Sequence, residues 1–292
     1  MKLSVSVLML LTLGAVGEVV ENFTKVVDCG KFFLNGEPPE FKIGTQIGTA
    51  SQGRYVPICQ RYKNKYHYAT LYDTAEKIPV YSAYRYERTP DCTGKRPVLT
   101  WMIEPQLENN NNGGEMILQK QMKINRQAYN SEYEDSRYDK GHLFPFCHTN
   151  SDEAAESTFT LTNAAPQRCD FNKMWYSKVE YRVRKNLTDC LNASKRAYVV
   201  TGVVPSKEKQ TLKKGSTVNV PSHFWTAYCC CDNNSKCKFG AYIMHKEADE
   251  PTNYEDEELI DFHKDLDELY KPMTMKVFNE KYITGEKRRR IQ

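Results

Sequence analysis

The stretch from Asp139 to Arg184 restricts this chain more than any other. Its second half, Asp170 to Asn186, reads as a helix: Phe171, Trp175, Val179 and Val183 recur every four residues on one apolar side, and Asp170 is a capping residue. A stripe of that kind must be buried against another layer. A second row, Asn172, Tyr176, Glu180 and Arg184, has the same spacing and drifts slowly round the helix, so all four can border one cleft. Glu180 and Arg184 are neighbours on such a helix and can pair. Before it, Thr158 to Thr162 alternates polar and apolar and reads as a strand, leading into Asn163-Ala164-Ala165-Pro166-Gln167. Upstream stands Asp139-Lys140-Gly141-His142, in which Gly141 is expected to let the chain turn and a substrate approach closely.

Singly, these residues have ordinary explanations. A histidine after a glycine is usually structural, an asparagine near a helix start is usually a cap, and a Glu/Arg pair four apart is usually a surface ion pair of small worth. Their joint order points to chemistry. Hydrolysis of a phosphodiester needs a base for the attacking water and positive charge for the phosphate and leaving oxygens. His142 suits the base, Lys140 can neutralise phosphate, and the neutral oxygen of Asn172 with waters suits Mg²⁺, a hard ion that keeps much of its hydration.

The N-terminus reads as a secretory leader. Lys2 supplies the positive start, Leu3 to Leu13 is apolar but too short to span a bilayer, and Ala15-Val16-Gly17 is a small-residue cleavage site. Residues 1–17 are therefore expected to be removed, the mature chain to begin at Glu18, and no membrane segment to be retained. Ten cysteines fit a secreted, disulfide-bonded chain. Zinc binding by Cys229, Cys230, Cys231 and Cys237 is disfavoured, because adjacent strand residues point to alternating faces. Sequons at Asn22, Asn186, Asn192 and Asn233 agree with secretion as a glycoprotein. A net charge of +4 does not by itself imply a nucleic-acid partner. Basic residues cluster at 178–185, 207–214 and 287–290, and acidic ones between Glu247 and Glu268; each cluster reads as a solvated face.

The remaining pattern mixes strands and helices without βαβ regularity, which predicts an α+β fold. Tyr66 to Tyr72 and Ile78 to Tyr86 read as a hairpin, and Glu108 to Gly114 as a polar, flexible loop. Ala197 to Val203, Phe224 to Cys230 and Phe239 to His245 read as strands, and Glu257 to Tyr270 as a helix with Leu259, Phe262, Leu266 and Leu269 inward. The expected organisation is an N-terminal extension at 18–65, one domain at 66–284 and a basic tail at 285–292.

The motif Asp139-Lys140-Gly141-His142, followed by Asn163-x-x-Pro166-Gln167-x-x-x-x-Asn172-x-x-Trp175-x-x-x-x-Glu180-x-x-x-Arg184, resembles the DNA/RNA non-specific endonuclease family. Tyr198 to Gly202 and Val220 to Trp225 look like the family's later strands. The resemblance covers about Tyr66 to Tyr270 and implies the ββα-metal (His-Me finger) fold, a central antiparallel sheet flanked by helices. It implies cleavage of DNA and RNA with little sequence preference, leaving 5′-phosphates, and dependence on Mg²⁺, with Mn²⁺ as a substitute. His142 is then the general base and Asn172 the one direct protein ligand of the metal. Glu180 holds a metal-bound water, Arg184 stabilises the pentacovalent phosphate and Asn163 supports the site. Arg96, in Gly94-Lys95-Arg96-Pro97, corresponds to a second phosphate-binding arginine. The family pattern usually has arginine where this chain has Lys140, which keeps the charge and loses the bidentate fork. That departure sustains an alternative: a non-catalytic secreted member that binds nucleic acid, another polyanion or a protein.

Overall fold

Tyrosine- and valine-rich segments form the centre of the molecule. The structure, a computed structural model, describes residues 18–43, 46–47, 53–87, 101–119, 122–234 and 236–282. Seven strands make one antiparallel sheet: β3 (Tyr55–Tyr62), β4 (Lys65–Asp73), β5 (Ile78–Tyr86), β10 (Arg196–Val204), β11 (His223–Cys231), β12 (Cys237–His245) and β13 (Thr252–Glu255). Their spatial order is β13-β12-β11-β10-β5-β4-β3. Three small sheets surround it. β1 (Glu40–Ile43) lies between β2 (Gln46–Ile47) and β14 (Met273–Lys276). β6 (Met102–Ile103) pairs with β7 (Ile117–Leu118), and β8 (Tyr138–His142) with β9 (Ala164–Arg168).

Strand alternation divides the core into two layers. On one face, Phe224, Val199 and Tyr84 meet Phe171, Trp175, Val179, Val183 and Leu187 of a long helix. On the other, Trp225 and Tyr81 meet Leu259, Phe262, Leu266 and Tyr270 of the helix Leu259–Tyr270, with Phe23, Phe33 and Phe41 of the N-terminal segment. Burying each such side chain is worth about 1.5–3 kcal/mol. Trp225 is anchored further: its Nε1 donates to the Tyr270 hydroxyl at 2.9 Å, which donates to the Val203 carbonyl at 2.7 Å. Gly202 opposite gives it room, since a Cβ there would lie 2.2 Å from Trp225 Cζ2.

The hairpin and the three later strands stand where the pattern predicts them. Two readings need correction. Thr158 to Thr162 is no strand: it is a turn leading into the 3₁₀ segment Leu161–Asn163, and the strand follows as β9. The threonines alternate because Thr160 and Thr162 turn their hydroxyls inward onto Glu104 Oε1, at 2.7 and 2.9 Å. The long helix begins at Cys169, so Asp170 is inside its first turn and ion-pairs with Arg168 at 2.6 Å instead of capping. In the asparagine-rich loop, Asn112 Nδ2 donates to the Pro105 carbonyl at 2.9 Å.

The disulfide reading of the cysteines holds. Cys29–Cys59, Cys190–Cys230 and Cys231–Cys237 are disulfides and Cys147 is also bonded, whereas Cys169 and Cys229 are free thiols. Cys230 faces the long helix while Cys229 and Cys231 face the opposite layer, as strand geometry requires. Residues 18–65 supply the edge strand β3 as well as β1 and β2. The leader, Arg96 and the tail at 285–292 lie outside the described residues.

Candidate active site

β8, β9 and the helix that follows them form a ββα unit against the large sheet. Asp139 pairs with Gln167, Gly141 with Ala165 and His142 with Ala164. Gly141 is therefore mid-strand and makes no turn. Gln167 folds across it: a Cβ at 141 would lie 2.1 Å from Gln167 Oε1.

Lys140 and His142 share one face of β8 and meet around Trp101. The His142 ring lies 4.6 Å from the Trp101 ring and 4.8 Å, edge-on, from Phe159. Lys140 Nζ lies 6.0 Å from the Trp101 ring and 5.1 Å from that of Tyr133. Burial among these rings lowers the Lys140 pKa, partly offset by Glu134. The aromatic walls at Trp101, Tyr133 and Phe159 were invisible in the motif, because they come from three distant segments. Asp139 belongs to the motif, yet its role also emerges only in space.

Asp139 and Gly141 occupy the opposite face of the strand. Asp139 Oδ2 accepts from Asn172 Nδ2 at 3.2 Å, tying β8 to the helix. That bond orients the Asn172 amide. Among the described residues nothing donates to its Oδ1, which is left as a neutral oxygen donor beside a carboxylate. Among the same residues no three of His, Cys, Asp and Glu converge as a metal cage. A donor set of one amide oxygen with waters, near one carboxylate, fits Mg²⁺ and does not fit a soft metal.

The helix itself is irregular. Cys169–Trp175 is α-helical, Tyr176–Glu180 is a π-turn, and Tyr181–Asn192 is α-helical again. In a regular α-helix a row spaced by four drifts about 40° per step, so Glu180 would sit about 80° round from Asn172. The wider turn takes one more residue and rewinds that drift. Asn172, Glu180 and Arg184 are all half-buried, while Tyr176 within the π-turn is 45% exposed. Among the described residues no ion pair joins Glu180 to Arg184. Desolvation instead pushes the Glu180 carboxyl up to about 8.

His148 supports this turn. It is buried, its Nε2 bonds the Glu180 carbonyl at 3.1 Å and its Nδ1 bonds the Tyr84 hydroxyl at 2.7 Å. The carbonyl can only accept, so Nε2 carries the hydrogen and Tyr84 donates to Nδ1. Burial holds the His148 pKa down to about 4, with Arg184 adding to the effect. Asn163 is fully buried as well. Its Oδ1 accepts from Phe144 N and the Ser82 hydroxyl at 2.9 Å each, and its Nδ2 donates to the Phe144 and Thr158 carbonyls. It fixes the chain just after His142 and points into the protein.

The basic and acidic clusters partly face each other. Lys178 reaches Glu250 at 2.6 Å and Arg168 reaches Glu247 at 3.5 Å. Among the described residues no helix is long and apolar enough to cross a membrane.

The family model of the DNA/RNA non-specific endonucleases matches residues 48–280. Human endonuclease domain-containing 1 protein is 36% identical over 211 residues, covering 70% of this chain and 39% of its own length. The mouse protein of the same name is 32% identical, with 70% and 38% covered. The chain thus matches less than half the length of these relatives. A nuclease of Syncephalastrum racemosum is 30% identical over 141 residues, 41% of this chain and 42% of that one. A chain in the crystal structure of the EndoG/EndoGI complex superposes with a TM-score of 0.48 at 18% identity, covering 68% of this chain and 81% of that one.

Proposed function

Because the chain belongs to the DNA/RNA non-specific endonuclease family, we propose that it is a secreted, Mg²⁺-dependent endonuclease cutting DNA and RNA with little sequence preference. The observation that carries this reading is the Asp139–Asn172 hydrogen bond, which presents a bare amide oxygen next to the strand bearing His142.

His142 takes the proton of the attacking water. Trp101 and Phe159 hold its ring and limit its rotation. Asn172 Oδ1, oriented by Asp139, would hold Mg²⁺. When bound, that ion stabilises charge on the phosphate and the leaving oxygen. Glu180 would hold a water through its carboxyl group. Arg184 and Lys140 supply positive charge to the phosphate, with Arg96 as a further contributor. Asn163 is a positioning residue. Secretion is supported by the leader-like N-terminus and the disulfides. Phosphate contacts dominate binding, so cleavage falls steeply with added salt.

Lys140 favours a second reading. A half-buried ammonium engaged with Tyr133 and Trp101 grips phosphate less well than an arginine fork, as in a binding protein with little turnover. Nicking of supercoiled plasmid by the purified protein, with Mg²⁺ and with EDTA, separates the two. The nuclease reading expects EDTA-sensitive nicking that His142→Ala abolishes in a folded protein. Retention of plasmid without nicking, or equal nicking by His142→Ala, overturns it.

A further inference from the structure

Two carboxyl groups meet in the interior where the N-terminal segment joins the sheet. Glu18 and Glu104 are both fully buried. The Glu18 carbonyl accepts from Cys59 N at 2.8 Å, and Val19 bridges to Ile58 on β3. Glu18 N donates to Gln106 Oε1 at 2.7 Å, and Glu18 Oε1 accepts from Arg61 N at 3.2 Å. Glu104 Oε1 is taken by the Thr160 and Thr162 hydroxyls. Among the described residues no amide, hydroxyl or ammonium donor reaches Oε2 of either acid, and the two carboxyls hydrogen-bond each other.

The carboxyls also face one another. Burial, then the neighbouring Glu104 carboxyl, holds the Glu18 carboxyl well above its ordinary range; Glu115 adds to the repulsion. Burial likewise raises Glu104. The Arg61 guanidinium is directed to Glu115, at 3.6 Å. A buried pair of acids is stable only with a shared proton or a cation beside it.

Glu18 is also where the leader ends on the secretion reading, on which this inference rests. Hydrolysis of the Gly17–Glu18 peptide bond places hydroxyl on the Gly17 carbonyl and a proton on the Glu18 nitrogen. The Glu18 amide becomes an amine that is protonated at neutral pH, with an ordinary pKa of about 8. Its position is already set by Gln106. We propose that this new α-ammonium is the missing cation: leader removal plugs it into a built site and neutralises the Glu18–Glu104 pair. Two short links join the acid pair to the active site. Trp101, against His142, immediately precedes β6, and Glu104 immediately follows it. Met102 N donates to the Phe159 carbonyl at 2.8 Å, and the threonines on Glu104 flank the turn that ends at Asn163.

The test compares the full mature chain beginning at Glu18 with the same chain carrying one additional alanine before it, both with free α-amino groups verified by mass. The alanine form is expected to melt at least about 5 °C lower. Its α-amine should react with an amine-directed acylating reagent in the folded state, while that of the Glu18 form is protected until unfolding. Glu104→Gln should lower the melting temperature of the Glu18 form, which loses a counter-charge, and leave unchanged or raise that of the alanine form. Equal melting temperatures and equal labelling of the two chains overturn the proposal, as does an N-terminus other than Glu18 on the protein secreted from eukaryotic cells. None of these readouts needs substrate. If neither chain nicks plasmid while the order of stabilities holds, the nuclease reading fails and this one stands.

Discussion

The helix from Cys169 to Asn192 and the helix Leu259–Tyr270 cover opposite faces of one sheet, and only the second is regular. Leu259–Tyr270 follows a 3₁₀ turn, Asp256–Glu258, that carries a capping box at Glu255 and Glu258; it has an inward stripe of Leu259, Phe262 and Leu266 and no interruption. The site helix has an equally apolar inner side but a π-turn at its middle, propped by a buried histidine. Packing alone is satisfied by ordinary periodicity. A second set of polar residues that must converge on one cleft is not, and one extra residue in a turn reconciles the two demands.

The comparison predicts that substitutions on the two faces separate rate from stability. His142→Ala, on the site side, should lower Mg²⁺-dependent nicking by about 10²–10⁴-fold, with the melting curve little changed. Trp225→Ala, on the far side, should cost about 3–5 kcal/mol in denaturant unfolding while the folded fraction keeps its nicking rate. A loss of rate per folded molecule there would break the division. His148→Phe should affect both: leaving the Tyr84 hydroxyl and the Glu180 carbonyl unpaired costs about 1–3 kcal/mol. It should also reduce nicking several-fold as the π-turn relaxes, and an unchanged rate would show that the turn is incidental.

Glu180→Gln sharpens the same contrast through pH. The raised pKa means that the folded state favours the protonated carboxyl. That contribution is present below the ordinary value of about 4.5 and is lost as pH rises through about 8. In metal-free buffer at pH 8.5 the glutamine variant should melt about 3–6 °C above wild type, with the difference vanishing near pH 4. The smallest effect is expected for Lys140→Arg, a rise of a few-fold in nicking at low salt, since the fork can grip phosphate while its plane stacks on Trp101.

What could be read in the sequence was whatever local periodicity encodes. The sheet strands show as β-branched and aromatic runs, and the inward stripes of both helices are visible every three or four residues. The π-turn was hidden because Trp175 before it, Val179 within it and Val183 after it all remain buried at four-residue spacing. Thr158 to Thr162 misled because its alternation serves a buried carboxylate 56 and 58 positions away, which no local window contains. Trp101 at His142 and Glu104 at Glu18 were hidden for the same reason. The residues of the Asp139–Arg184 register were identifiable, whereas the surroundings that tune them were assembled by the fold.

Gly141 carries one more consequence. The side chain of Gln167 fills the space where a β-carbon would be, so glycine at 141 suits the closure of two strands whether or not any bond is ever broken there. A duplicate of this chain that had drifted away from hydrolysis would have the same packing reason to keep it. When such sequences are sorted into working enzymes and silent scaffolds, the glycine should carry little weight; positions 142 and 172 carry more, since a change there leaves the backbone pairing of the strands in place.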